Sequence, residues 1–200
     1  IKYLSNYKTQ IDVLDICQNF DNNILNIFNW NDIGEISCKN YNAVIHLAGK
    51  AHDTRNKSSK ESYVEINFGL TKKIFDKFLD SESNCFIFFS SVKAAADVVN
   101  GNELIEDVIP SPVGPYGESK LMAEEYIMDY LKKEDHRLQN NRVYILRPCM
   151  IHGPGNKGNL NLLFNLVKKG IPWPLGSFNN KRSFTSIENI CFIISNLIQS

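Results

Sequence analysis

Cys85-Phe86-Ile87-Phe88-Phe89-Ser90-Ser91 is an unbroken apolar run closed by two hydroxyls. A run without alternation is the pattern of a strand covered on both faces, as in a parallel sheet with helices above and below. The carboxyl ends of such strands open onto the ligand crevice, so Ser90 and Ser91 are expected at that edge. One loop further on, Pro115-Tyr116-Gly117-Glu118-Ser119-Lys120 sets a tyrosine and a lysine four positions apart after a proline-rich turn. On a helix these two share one face. A phenol titrates near 10, and bringing it to about 7 requires roughly 4 kcal/mol of preference for the phenolate. A unit charge about 4 Å away, at an effective dielectric of about 20, supplies nearly that much. Lys120 is therefore expected to tune Tyr116 as a proton shuttle.

Working outward, Ile11-Asp12-Val13-Leu14-Asp15 is a short β run ending in an acid. In a dinucleotide-binding fold such an acid accepts the adenosine ribose hydroxyls, about 20 residues after a glycine-rich phosphate turn. That turn is expected to precede Ile1, so the chain reads as truncated at its front. Gln18 to Asn42 is rich in Asn and Asp without a period and is read as loop with one short helix, in which Asp32 is a candidate for the adenine side. Ala43-Val44-Ile45-His46-Leu47-Ala48-Gly49 is a second buried strand closed by small residues that admit a close backbone approach. His46, inside that apolar strand, reads as a hydrogen-bonded core residue. Ala51 to Ser62 is polar. Leu70, Ile74, Phe75 and Phe78 then recur at helical spacing, which predicts an amphipathic crossover helix over Asn67 to Leu79. Val92 to Val113 is expected to be a loop, long enough to be functional rather than a mere connector. The Tyr116 helix runs to about Lys133, and Val143 to Pro148 supplies the next buried strand. Asn159 opens a helix over Leu160 to Lys168, and Thr185 with Glu188 reads as a capping box for a last helix, Ile187 to Ile198. Strands and helices alternate, which gives a parallel α/β sheet.

Composition sets the outer limits. The 200 residues are 43% hydrophobic, and 22 basic residues balance 22 acidic ones. That suffices for one substantial core and the start of a second unit, and nothing in the balance points to nucleic acid or to an anionic membrane. The five cysteines are scattered without a C-x-x-C pair, so neither a metal site nor a disulfide framework is expected. No run reaches membrane-spanning length and no leader opens the chain; a cytoplasmic protein is the expectation.

The order of strand Ser91, loop, Tyr116 and Lys120 resembles the extended short-chain dehydrogenase/reductase family, in particular its nucleotide-sugar epimerases, dehydratases and reductases. Further segments carry the resemblance: Val44 to Gly49; Asn67 and Thr71, with Leu70 where the family has glycine; Arg147-Pro148; Cys149 to Asn159; and Asn179 to Phe184. It implies a Rossmann-like doubly wound parallel sheet over residues 1–150 and the start of a smaller nucleotide-sugar-binding region over 151–200. It also implies NAD as cofactor, contacted by Asp15, Leu47, Ala48, Gly49, Lys50, Asn67, Ser90, Tyr116 and Lys120. Catalysis falls to Tyr116, Lys120 and Ser91, and a nucleotide-diphosphate sugar to Ser91, Asn159 and Arg182, with a homodimer as the candidate assembly. The helix-cap reading of Asn67 stands beside the cofactor reading. The implied chemistry is hydride transfer at C4 of a nucleotide-linked hexose, as an epimerase or a 4-keto-sugar reductase. Val92 and Lys93, where dehydratases carry an acidic pair, argue against dehydration. Met150, where many epimerases carry asparagine, points toward deoxy- or acetamido-sugars of surface polysaccharides. A non-catalytic dinucleotide-binding redox sensor of the same fold is the alternative.

Overall fold

The computed structural model describes residues 9–16, 24–36, 38, 41–51, 58–99, 101–133, 140–154, 159–170 and 181–200. Its strands and helices follow the chain as β1 (Asp12–Leu14), β2 (Asn26–Phe28), β3 (Ala43–His46) and α1 (Lys60–Tyr63). A π-helical turn, Val64–Gly69, leads into α2 (Leu70–Leu79). Next come β4 (Cys85–Phe89), α3 (Val92–Ala95), α4 (Pro115–Lys132), β5 (Arg142–Leu146), β6 (Met150–His152), α5 (Asn159–Lys168), β7 (Phe184–Ser186) and α6 (Ile187–Gln199).

β4 sits centrally between β3 and β5 in a parallel sheet, with Val44 opposite Phe86 and Phe88 opposite Ile145. Its apolar run is explained by what covers it. Phe86 and Phe88 point into a cluster with Phe75 and Phe78 of α2 and Ala123 and Ile127 of α4, whereas Cys85 and Ile87 meet Ile190 and Ile194 of α6. Successive side chains thus serve opposite faces, and both faces are dry. Burying each phenylalanine stabilises the fold by about 2–3 kcal/mol. The rings also interlock: Phe75 meets Phe86 edge-on with centroids 5.0 Å apart.

The remaining pairings are parallel as well, β1 with β2 and β6 with β7. β2 lies in a stretch expected to be loop. Three residues, two of them exposed, show no period of their own, and pairing with β1 is what makes them a strand. The short helix expected there is a 3-10 turn, Trp30–Gly34, in which the Asp32 carboxylate accepts from the Asn29 N–H. A second difference concerns the crossover helix, which starts at Lys60 rather than Asn67. Ser59 caps it, and the π turn inserts an extra residue that breaks the 3.6-residue period across the junction. At the far end Ser186, not Thr185, caps α6 by accepting from the Asn189 N–H at 3.1 Å. Among the described residues no helix is long and apolar enough to cross a membrane.

Candidate active site

The carboxyl ends of β3 and β4 meet the first turns of α4. α4 begins with Pro115, whose fixed φ and missing N–H suit a first helical position. Its approach to α3 depends on Gly117: a Cβ there would lie 2.3 Å from the Lys93 carbonyl oxygen. Tyr116 is half-buried, whereas Lys120 is only 3% exposed. The Lys120 Nζ donates to the Phe89 carbonyl at 2.8 Å and lies 4.9 Å from the centre of the Phe88 ring.

Asn67 is fully buried within the π turn, and its amide joins three elements. Its Oδ1 accepts from the Lys50 N–H at 2.7 Å, and its Nδ2 donates to the Lys50 carbonyl at 3.1 Å and to Ser119 Oγ at 2.9 Å. Ser119 in turn donates to the Tyr116 carbonyl at 2.9 Å. The helix-cap reading of Asn67 is therefore excluded, because the residue sits well inside a continuous helix. One turn later the Thr71 hydroxyl donates to the Asn67 carbonyl, so it can only accept from His46 Nε2, 2.9 Å away. His46 is neutral: burial, reinforced by the Lys120 charge, brings its pKa down to about 3. That leaves it a core residue.

The electrostatics differ from expectation at Tyr116. Burial pushes the phenol up from its ordinary value, and the opposing influence is a hydrogen bond with Ser91 rather than the Lys120 charge. The lysine shares the tyrosine's helix face, but its ammonium is turned to Phe89 and the Phe88 ring. Burial also depresses Lys120 itself, to about 8, against the pull of Glu124. Ser91 thus has two tasks, as partner of Tyr116 and as N-cap of α3, accepting from the Lys93 N–H at 3.2 Å.

Several features suit a dinucleotide at this edge. The Ser90 hydroxyl is buried without a partner among the described residues, and an unmatched hydroxyl costs about 1–3 kcal/mol until something meets it. The turn after β3 is open, with Leu47 63% exposed. At Gly49 a Cβ would stand 2.9 Å from Lys120 Nζ and 3.0 Å from Asn67 Oδ1, so only glycine leaves that floor clear. Asp15 follows β1, its N–H donating to the Phe28 carbonyl at 3.1 Å.

Ser90, Ser91, Gly49, Lys50, Asn67, Tyr116 and Lys120 are thereby joined by this one edge. Arg182 is exposed, two residues ahead of β7. Asn159 is the first residue of α5. A separate cavity of about 460 Å³ runs along Ala96–Val113, and neither Tyr116 nor Lys120 lines it. Two groups of the edge were given no role from the sequence: Ser119, and the buried Glu124 with its partner Arg147. The spacing of Lys120 and Glu124, four apart on one helix, was the available signal for the latter.

This arrangement is a parallel α/β fold with a Tyr-x-x-x-Lys helix at the strand ends. The chain belongs to the NAD dependent epimerase/dehydratase family, whose model matches residues 5–200. It is 35% identical over 164 residues to a UDP-glucose 4-epimerase of Vibrio cholerae, covering 80% of this chain and 48% of that protein. It is 27% identical over 150 residues to an N-acetyl-α-D-glucosaminyl-diphospho-ditrans,octacis-undecaprenol 4-epimerase of Escherichia coli O157:H7, covering 75% and 43%. The chain thus spans about half the length of the curated relatives it matches. Among solved structures, a complex with UDP-glucuronic acid and NAD superposes with a TM-score of 0.78 at 21% identity, covering all of this chain and 67% of the other.

Proposed function

We propose that the protein binds NAD at the ends of β1, β3 and β4 and transfers hydride at C4 of a nucleotide-linked hexose. The observation that carries this is the assembly of Ser91, the half-buried Tyr116 and the buried Lys120 at the end of β4, beside a Ser90 hydroxyl with no partner among the described residues and a glycine floor. NAD, when bound, supplies the hydride acceptor or donor and, oxidised, a positive charge.

This chain's own groups do the rest. Tyr116 exchanges a proton with the sugar oxygen as general acid/base. Ser91, whose influence on the phenol opposes that of burial, steadies that oxygen, and Lys120 gives the edge a cation that favours phenolate. Because burial alone pushes the phenol up, activation has to come with the loaded site rather than from the lysine by itself. Asn67 and Ser119 fix the distance between the cofactor turn at Lys50 and the catalytic helix. Asp15 would hold the adenosine ribose, and Asn159 with Arg182 the nucleotide diphosphate, for which a guanidinium's paired donors are suited.

The curated relatives support action at C4, one being named for UDP-glucose and another for an acetamido-sugar on a lipid diphosphate. Met150 at the head of β6 favours deoxy- or acetamido-sugars over hydroxyl-rich hexoses, since an apolar side chain leaves a sugar hydroxyl unmatched. The test is to incubate the full-length protein with NAD(H) and a panel of nucleotide sugars and to separate the products. Interconversion of C4 epimers, or oxidation of NADH by a 4-keto-sugar, supports the proposal. Absence of both across the panel refutes it.

A further inference from the structure

Glu124 is 3% exposed and lies one helical turn beyond Lys120. Its carboxylate is gripped by Arg147, whose Nε reaches both oxygens at 3.1 Å and whose Nη2 donates to Oε2 at 2.6 Å. Arg147 directly follows β5. There the Leu146 carbonyl also holds the Ser90 N–H, at 2.8 Å. Two successive turns of α4 are therefore fastened to the ends of two neighbouring strands, Lys120 to β4 and Glu124 to the residue after β5. As a device for stability alone an ion pair with one buried partner is poor, since apolar residues of the same size commonly do as well or better. The placement of this pair points to Lys120.

The groups around that ammonium leave few sources of negative charge. From β3 it faces His46, which is neutral; from β4, the Phe89 carbonyl and the Phe88 ring; from the π turn, the Asn67 carboxamide; along α4, Tyr116 lies one turn before it and Glu124 one turn after, and the Glu124 carboxylate pulls on its charge. Resting on the site reading above, we propose that Glu124, locked by Arg147, is the positioning residue for Lys120. It keeps the lysine charged and holds the Tyr116 helix against the strand ends. The opposing influences on Lys120 agree, burial favouring the neutral amine and Glu124 the ammonium.

Glu124→Gln and the double variant Glu124→Gln/Arg147→Met, which leaves no buried charge unpaired, would be made in the full-length protein. Turnover and NAD affinity would be followed from pH 6 to pH 10, with Lys120→Met as reference. Removing the carboxylate is expected to move the alkaline limb of both profiles acidward by about 0.5–1 pH unit. Turnover at pH 8 should fall about 3-fold or more, with KM for the sugar little changed, and Glu124→Asp should restore much of the loss. An unmoved limb in the double variant, with Lys120→Met inactive, would overturn this inference and leave the site reading intact. Turnover by Lys120→Met near that of the unaltered protein would overturn the site reading, and this inference with it.

Discussion

Replacing Lys120 by methionine should make the protein more stable and less active at once. The ammonium is 3% exposed, and burial holds its pKa at about 8 against 10.5 for a free lysine. Because the folded value lies below the unfolded one, the folded state binds fewer protons between those two pH values. Stability therefore climbs with pH across that window, and the whole penalty is present below about 8. The gap from 10.5 to about 8 corresponds to about 3 kcal/mol at neutral pH. Methionine removes that penalty and keeps a sulfur–aromatic contact with Phe88, but it strips the Phe89 carbonyl of its donor, which costs about 1–2 kcal/mol. A net gain of about 1–2 kcal/mol remains, and each kcal/mol raises Tm by about 2–4 °C in a domain of this size. Thermal unfolding of the full-length protein and of Lys120→Met, followed by circular dichroism at pH 7 and pH 9.5, measures it. The variant should melt several degrees higher at pH 7, with the gap narrowing at pH 9.5, while turnover is lost. A variant that melts lower at pH 7, or a gap that ignores pH, would refute the reasoning.

Four other outcomes follow. Gly117→Ala places a methyl 2.3 Å from the Lys93 carbonyl oxygen and 3.0 Å from Pro112 Cβ, so α4 must back away from α3; a loss of about 1–3 kcal/mol in denaturant unfolding is expected, with turnover falling further than stability explains. Asn67→Ala deletes three hydrogen bonds, leaving the Lys50 N–H and carbonyl without that partner and Ser119 with its bond to Tyr116 alone; it should lower stability by about 2–4 kcal/mol and weaken NAD binding in a fluorescence titration. Arg182→Ala should weaken nucleotide-diphosphate binding with NAD affinity unchanged, and Asp15 should make NAD(H) preferred over the 2′-phosphorylated cofactor, both readable by calorimetry.

Much of the sheet was legible because its signals are local. β4 shows five apolar residues in a row because both of its faces are covered, and α2 keeps a helical period because one face alone is buried. β2 was illegible for the opposite reason, being short, partly exposed and a strand only by virtue of β1. The start of the crossover helix was lost because the π turn shifts the register between Tyr63 and Leu70. At the site, spacing placed Tyr116 and Lys120 on one face but could not say which way the ammonium turns. The Phe89 carbonyl and the Phe88 ring decide that, and they are distant in the chain. Asn67 to Ser119 and Glu124 to Arg147 are likewise contacts of the folded chain, and only the spacing of Glu124 from Lys120 left a local trace.

The most direct measurement of hydride transfer at C4 is a turnover in deuterated water. The full-length protein would be given NAD(H) and the nucleotide sugar it accepts, and the product's C4 hydrogen read by NMR beside that of Tyr116→Phe. The expected product carries no solvent deuterium at C4, and the Tyr116→Phe variant binds NAD as before but turns over at least about 10²-fold more slowly. Deuterium at C4, or Tyr116→Phe within a few-fold of the unaltered protein, would contradict it.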